Sequence, residues 1–382
     1  MPDASLLTPQ ARAEARFERR FGSGPRLFQA PGRINIIGEH VDYAGGLVLP
    51  AAIDRHVVVA ARANDSLNLT VASGAMGGEA VVDLGALAPG GGWVDYVAGT
   101  AQVLAAAGIP VVGADLCIES DLPIGAGLSS SAALEVATAH ALLALAGASA
   151  DGVQIARWAQ GAENDFVGAP CGIMDQFASA NGIADAALLL DCATLHAEPI
   201  PLPATARFLV VDTATSHDHA EGEYRRRREE CEVAARLLGV DQLAAVSDLP
   251  AALARLPEPL GRRCRHVVSE IVRVREAVEA LRRGDLIGVG RLLNLSHASL
   301  RDDMQVSTDR VDRLVAAAQA SPGVLGARMM GGGFGGSIIA LADADEAQAA
   351  LAAVCDSFAA VIGSAPDAFL CTAVGGAGEI AA

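Results

Sequence analysis

Pro123-Ile124-Gly125-Ala126-Gly127-Leu128-Ser129-Ser130-Ser131-Ala132-Ala133 is the stretch on which the reading of this chain turns. Two glycines and three serines stand directly before an apolar pattern that predicts a helix over 129–146. That junction is the chemistry of an anion site. Glycines let the backbone approach a ligand, and a helix N-terminus offers unpaired N–H donors. The serine hydroxyls add hydrogen bonds or hold a metal ion. A lysine usually completes such a cradle, but all 28 basic residues here are arginine. This excludes a Walker A loop, a protein-kinase site with its strand lysine, and Schiff-base chemistry. Nucleotide chemistry would have to use backbone amides, serine, arginine and metal.

Outward from this stretch, apolar β-branched runs predict strands over 48–61, 113–121, 186–191, 208–212 and 368–374, with a hairpin around 74–78. Helical spacing covers 9–22, 93–107, 153–166, 222–238, 262–283, 284–297, 307–320 and 346–362, and 326–341 reads as a glycine-interrupted strand. The irregular alternation favours an α+β fold over an all-parallel sheet. Pro201-Leu202-Pro203 is a candidate domain boundary, dividing the chain into 1–203 and 204–382.

The 382 residues are 52% hydrophobic, enough to bury a substantial core, and no apolar run reaches the roughly 18–20 residues of a membrane span. The first 20 residues have no signal-peptide core. Seven dispersed cysteines without a C-x-x-C pair suit a reducing cytoplasm. A net charge of −17 argues against nucleic acid or an anionic membrane as partner. Oligomeric state is left open, with a monomer one option.

Two more glycine-rich segments accompany the first: Pro31-Gly-Arg-Ile-Asn-Ile-Ile-Gly-Glu-His-Val-Asp-Tyr43 and Gly331-Gly-Gly-Phe-Gly-Gly336. Glu39, His40 and Asp42 beside a Gly-Gly turn supply directed donors and acceptors of the kind a neutral polyol needs. Together with Cys171-Gly-Ile-Met-Asp-Gln-Phe177, Gly222-Glu-Tyr224 and Ser296-His-Ala-Ser-Leu-Arg-Asp-Asp303, the chain resembles the GHMP small-molecule kinases, and within them the galactokinases.

The resemblance implies a two-domain fold with a left-handed βαβ element in the N-terminal half, a ferredoxin-like C-terminal half and the active site between them. It implies that ATP phosphorylates the anomeric hydroxyl of D-galactose, with Mg²⁺, giving α-D-galactose 1-phosphate. Asp175 would be the catalytic base, and Arg33 would stabilise charge on the transferring group. Glu39, His40, Asp42, Gly172 and Tyr224 would contact the sugar. Pro123, Gly125, Ala126, Gly127, Leu128, Ser129, Ser130 and Ser131 would line the nucleotide phosphates, and Ser131 with Glu163 would hold the metal. Mg²⁺ takes few protein ligands and fills the rest with phosphate oxygens and water. Two alternatives remain: a kinase for a related sugar such as N-acetylgalactosamine or arabinose, and a non-catalytic sensor of sugar and ATP. Met330 stands where galactokinases usually carry threonine. Arg225 to Arg228 read as a solvated helix surface paired with Glu229 and Glu230. His217-Asp218-His219 lacks a third clustered ligand and is not read as a metal site.

Overall fold

The computed structural model describes residues 7–123, 125–214 and 220–381, so His217 and His219 lie outside the described residues. Helix α1 (Pro9–Phe21) starts on Thr8, whose hydroxyl accepts from the Ala11 N–H, and stops at Gly22. Then come β1 (Arg26–Asn35), β2 (Leu47–Val48), β3 (Pro50–Ala63), β4 (Asn68–Ser73), β5 (Glu79–Asp83), α2 (Val94–Ala106) and β6 (Ala114–Ser120). β1, β3, β6, β4 and β5 pair in that order, with β4–β6 the parallel contact.

Helix α3 (Ser130–Leu145) follows the glycine–serine loop. It is buried on nearly every side, from Ala132 through Leu143. An all-round apolar helix belongs inside the fold, and its alanines let it lie close to the strands. Helix α4 (Gly152–Gly161) is capped by the Asp151 carboxylate. The sequence predicts one continuous helix to Phe166. Instead the backbone widens into a π-helical turn over Ala162–Val167, a local irregularity frequent at functional sites, and Glu163 is buried there. Helix α5 (Met174–Asn181), too short to stand out by periodicity, carries Asp175 in its first turn. Strands β7 (Ala186–Asp191) and β8 (Ala197–Pro201) join β2 in a three-stranded sheet. β8 hid in the sequence because its prolines mask it and Ile200 alone is buried.

Beyond lie β9 (Ala206–Asp212), α6 (Ala220–Leu238), α7 (Leu249–Leu253), α8 (Leu260–Arg282), α9 (Leu286–Ser299), α10 (Asp309–Ala320), β10 (Val324–Met330), β11 (Ser337–Asp343), α11 (Ala347–Ile362), β12 (Ala368–Cys371) and β13 (Gly378–Glu379). The sheet β10-β11-β9-β12 is antiparallel throughout, and its strand order is ferredoxin-like. The 326–341 segment is a hairpin, β10–β11, with the glycine run as its connection. The chain finally returns to the first sheet, where β13 pairs with β1.

The arginine run departs from its solvated reading at one position. Arg227 is buried, donating to the Met304 and Gln305 carbonyls and pairing with Glu223 and Glu230. A helix that packs on one face must turn one of four consecutive residues inward. The two halves share their cores: Phe28 and Ile34 pack in one cluster with Phe208, Val210 and Ile339. Val41, Met174 and Phe177 pack in another with Leu209, Ala327 and Ile338. The seam between the halves is therefore a packed interface, and the candidate site lies along it.

Candidate active site

β1 carries Arg33 two residues before its end at Asn35, and the chain then turns through Glu39, His40 and Asp42. The turn is held from the C-terminal half at successive positions. Glu270 on α8 accepts from the Gly38 N–H at 3.0 Å, and His266 bonds the Glu39 carbonyl at 2.9 Å. The Glu39 carboxylate takes the Gly331 N–H at 2.8 Å and an ion pair from Arg328 at 3.4 Å. His40 Nε2 lies 3.2 Å from the Gly332 carbonyl, and Nδ1 lies 2.9 Å from the Tyr43 hydroxyl. A carbonyl can only accept, so Nε2 carries the hydrogen and Nδ1 accepts from Tyr43. Burial and the neighbouring His266 lower the His40 pKa to about 3, which keeps the ring neutral.

A cavity of about 180 Å³ opens above this turn, lined by Arg33, Glu39, His40, Asp42, Cys171, Gly172, Met174, Asp175, Tyr224, Gly331 and Gly332. Every residue assigned to catalysis or sugar from the sequence lies on this wall. His40 enters it differently from the others, because both its ring nitrogens already have protein partners. Tyr224 tilts against the His40 ring at 5.4 Å and meets Tyr43 edge-on at 5.6 Å. A Cβ on Gly172 would overlap the Asp42 carboxylate, so any side chain there would displace it. Burial, with Asp175 nearby, raises the Asp42 pKa to about 7.

Asp175 faces Arg33 in a bidentate pair: Nε donates to Oδ1 and Nη2 to Oδ2, each at 2.8 Å. Burial works against the Arg33 charge, but the carboxylates of Asp175, Glu39 and Asp42 together offset it, and the guanidinium pKa is raised. Arg33 Nη1 reaches the Gly127 carbonyl at 2.5 Å, tying the phosphate-loop candidate to the pair. The Ser337 hydroxyl fastens the same loop by donating to the Ala126 carbonyl at 2.7 Å. A Cβ added at Gly331 would lie 3.4 Å from the Gly127 Cα and carbonyl oxygen, so two of the three glycine-rich segments run close together here. Ser129 adopts a left-handed backbone (φ 61°), and its hydroxyl donates to Asp175 Oδ2 at 2.5 Å. Its hydroxyl is thus on the carboxylate, whereas the sequence assigned it to the phosphates. Of the remaining loop positions, Pro123, Gly125 and Leu128 lead up to Ser129, and Ser130 is the first residue of α3.

Ser131 and Glu163 are brought together. Burial and Asp175 raise the Glu163 pKa to about 7, while bonds from Ser131, Cys171 and Gln176 pull it back. Gln176 Nε2 spans Glu163 at 2.5 Å and Glu135 at 3.3 Å. Glu135 is fully buried on α3, and its Oε1 has no partner. Burial and repulsion from neighbouring carboxylates raise the pKa of both Glu163 and Glu135, and a cation beside the orphaned Glu135 oxygen would relieve that repulsion. Among the described residues no cluster of three His, Cys, Asp or Glu could hold a metal by itself. A hydroxyl and one carboxylate do suit Mg²⁺ shared with phosphate oxygens.

Sequence reasoning missed Arg328, His266, Glu270, Gln176 and Glu135. Gln176 stood next to Asp175 inside a quoted motif and could have been found there. The others sit in ordinary helical or strand patterns and carry no local signal.

Three domain patterns match the chain: the galactokinase galactose-binding signature over residues 15–63, the GHMP kinases N terminal domain over 95–182 and the GHMP kinases C terminal domain over 277–360. A galactokinase of Chloroflexus aurantiacus is 45% identical over 372 residues, covering 95% of each chain. One from Streptomyces coelicolor is 46% identical over 365 residues, covering 93% of this chain and 94% of that one. The crystal structure of Lactococcus lactis galactokinase complexed with galactose superposes with a TM-score of 0.92 at 34% identity, covering 96% of this chain and 98% of the other. Among the described residues no helix is long and apolar enough to cross a membrane. With two glycine-rich segments lining one polar cavity, the third bonded to the Arg33–Asp175 pair on its wall, and relatives matching across nearly the whole length, this chain belongs to the galactokinase family of GHMP kinases.

Proposed function

We propose that this enzyme transfers the γ-phosphoryl group of ATP to the anomeric hydroxyl of D-galactose, giving α-D-galactose 1-phosphate and ADP. The observation that carries this reading is the Arg33–Asp175 pair at the wall of the polar cavity. The galactose named with the Lactococcus relative supports the choice of sugar. In the cavity, Glu39, Asp42, the Gly172 backbone and Tyr224 would bond the sugar hydroxyls, with His40 supporting Tyr43 behind them. A sugar with an inverted or missing hydroxyl would leave buried polar groups unpaired, which is a strong basis for rejection.

Asp175 Oδ2 already accepts two hydrogen bonds, from Arg33 and Ser129, whereas Oδ1 accepts one. The lone pair left on Oδ1 is the natural proton acceptor. The C1 hydroxyl gives its proton to Oδ1 as its oxygen bonds to the γ-phosphorus. The bond from γ-phosphorus to the bridging oxygen breaks, and ADP leaves. Arg33 stays within reach of charge developing on the transferring group. The loop over 123–131 would cradle the phosphates with backbone donors. Ser131 and Glu163 would hold Mg²⁺, which supplies charge neutralisation to the phosphates. A division into domains 1–203 and 204–382 accompanies this reading, with the nucleotide at the seam. Seven free cysteines suit a reducing cytoplasm.

The test is ADP release measured side by side with galactose, glucose, N-acetylgalactosamine and arabinose. The highest kcat/KM is expected with galactose. Preference for another sugar would replace the substrate but keep the reaction, and ADP release with none of them would refute the kinase reading.

A further inference from the structure

We propose that Arg328 is a positioning residue for sugar recognition, acting through Glu39; this rests on the sugar-site reading above. Arg328 lies on β10 and is fully buried. Its guanidinium spans the seam between the halves. Nε donates to the Ile36 carbonyl at 2.9 Å, Nη1 to the Met329 carbonyl at 2.7 Å, and Nη2 to the Asn35 carbonyl. These acceptors are neutral. The carboxylate that pairs with Arg328 is that of Glu39, whose Oε1 lies 3.4 Å from both Nη1 and Nη2.

This arrangement decides what Glu39 presents to the cavity. Oε1 is occupied by the Gly331 N–H and by Arg328. Glu39 lines the cavity, so Oε2 is the oxygen free for a ligand. Arg328 also holds the two carbonyls that lead from β1 into the turn. It thus fixes both the backbone approach and the carboxylate orientation from one buried point. A buried guanidinium with a planar fork of donors can meet these acceptors together, whereas an ammonium cannot. Without Arg328, Glu39 would keep a single N–H partner for Oε1 and would be free to rotate its oxygens between wall and cavity.

The test compares Arg328→Lys, Arg328→Met, Glu39→Gln and the Glu39→Gln/Arg328→Met double variant. Galactose affinity is measured by equilibrium titration without nucleotide, alongside KM and kcat. Arg328→Met is expected to weaken galactose binding at least about tenfold while KM for ATP changes less than about threefold. Arg328→Lys should recover part of that loss. In the Glu39→Gln background, Arg328→Met should cost clearly less than in the wild type, because the part of its effect that passes through that carboxylate is already lost. If Arg328→Met does not fold, the Arg328→Lys titration decides by itself. Wild-type galactose affinity in Arg328→Lys, or losses that simply add in the double variant, would overturn the positioning role. Unchanged galactose affinity in Glu39→Gln would instead overturn the sugar-site reading on which the proposal stands.

Discussion

The turn carrying Glu39, His40 and Asp42 and the loop over 123–131 adjoin the same Arg33–Asp175 pair but are built in opposite ways. The turn is locked: Glu270, His266, Arg328, Tyr43 and the Gly331–Gly332 backbone hold successive groups, and Glu39 and His40 are buried. The loop is fastened at its back, through the Ala126, Gly127 and Leu128 carbonyls, with fewer partners on its other side among the described residues. Gly125 is exposed, and no side chain caps α3, because the hydroxyl at its N-cap turns to Asp175. The contrast suits their proposed ligands. A neutral sugar is told apart by fixed hydrogen bonds, which must exist before it arrives. A polyphosphate is held by charge and by many equivalent amide donors, so its cradle can keep those donors unspent until it binds.

The sharpest way to break this contrast is at the pair both regions share. Asp175→Asn should lower kcat by roughly 10²–10⁴-fold, the usual worth of a positioned base, while galactose still binds. Steady-state rates with a separate titration of galactose check this, and retained turnover would remove Asp175 from the chemistry. Against the locked turn, Gly172→Ala would drive a Cβ from the 171–177 segment into Asp42. KM for galactose should rise about tenfold or more with KM for ATP nearly unchanged, as for Asp42→Ala; equal changes in both would erase the distinction between the regions. In the loop, Ser129→Ala should lower kcat about three- to tenfold with little effect on either KM, since it removes one donor to Asp175. A rise in KM for ATP alone would return Ser129 to the phosphates.

The smallest expected effect is on stability. Burial raises the Glu163 pKa from 4.5 to about 7 in the folded protein. Between those values the folded state binds more protons than the unfolded one, so this group's contribution is full below pH 4.5 and is lost as pH rises through 7. Glu163→Gln should therefore melt higher than wild type above pH 7 in the absence of nucleotide and metal, by about 1–3 kcal/mol. The difference should shrink toward pH 4.5, and melts across that range would detect it.

Much of this was legible from the residues, and unevenly so. Long periodic elements such as α1, α8 and α11 were clear because a packed helix repeats its apolar face. The brief or interrupted ones, α7, β8 and the π-helical turn at Ala162–Val167, escaped because so few residues form no period. Arg227 was misread because four arginines in a row look alike until the packing face of α6 is known.

By itself, the sequence determined the chemistry on offer: a lysine-free chain with glycine–serine and Glu-His-Val-Asp segments, and an aspartate set in Gly-Ile-Met-Asp-Gln. Those motifs are local, and short-range spacing carries them. Only the tertiary structure decided which groups hold the others in place. Arg328 meets Glu39, and Ser129 meets Asp175, across 289 and 46 positions of chain respectively. Contacts at such separation depend on how strands and helices pack, and no short window of residues records them.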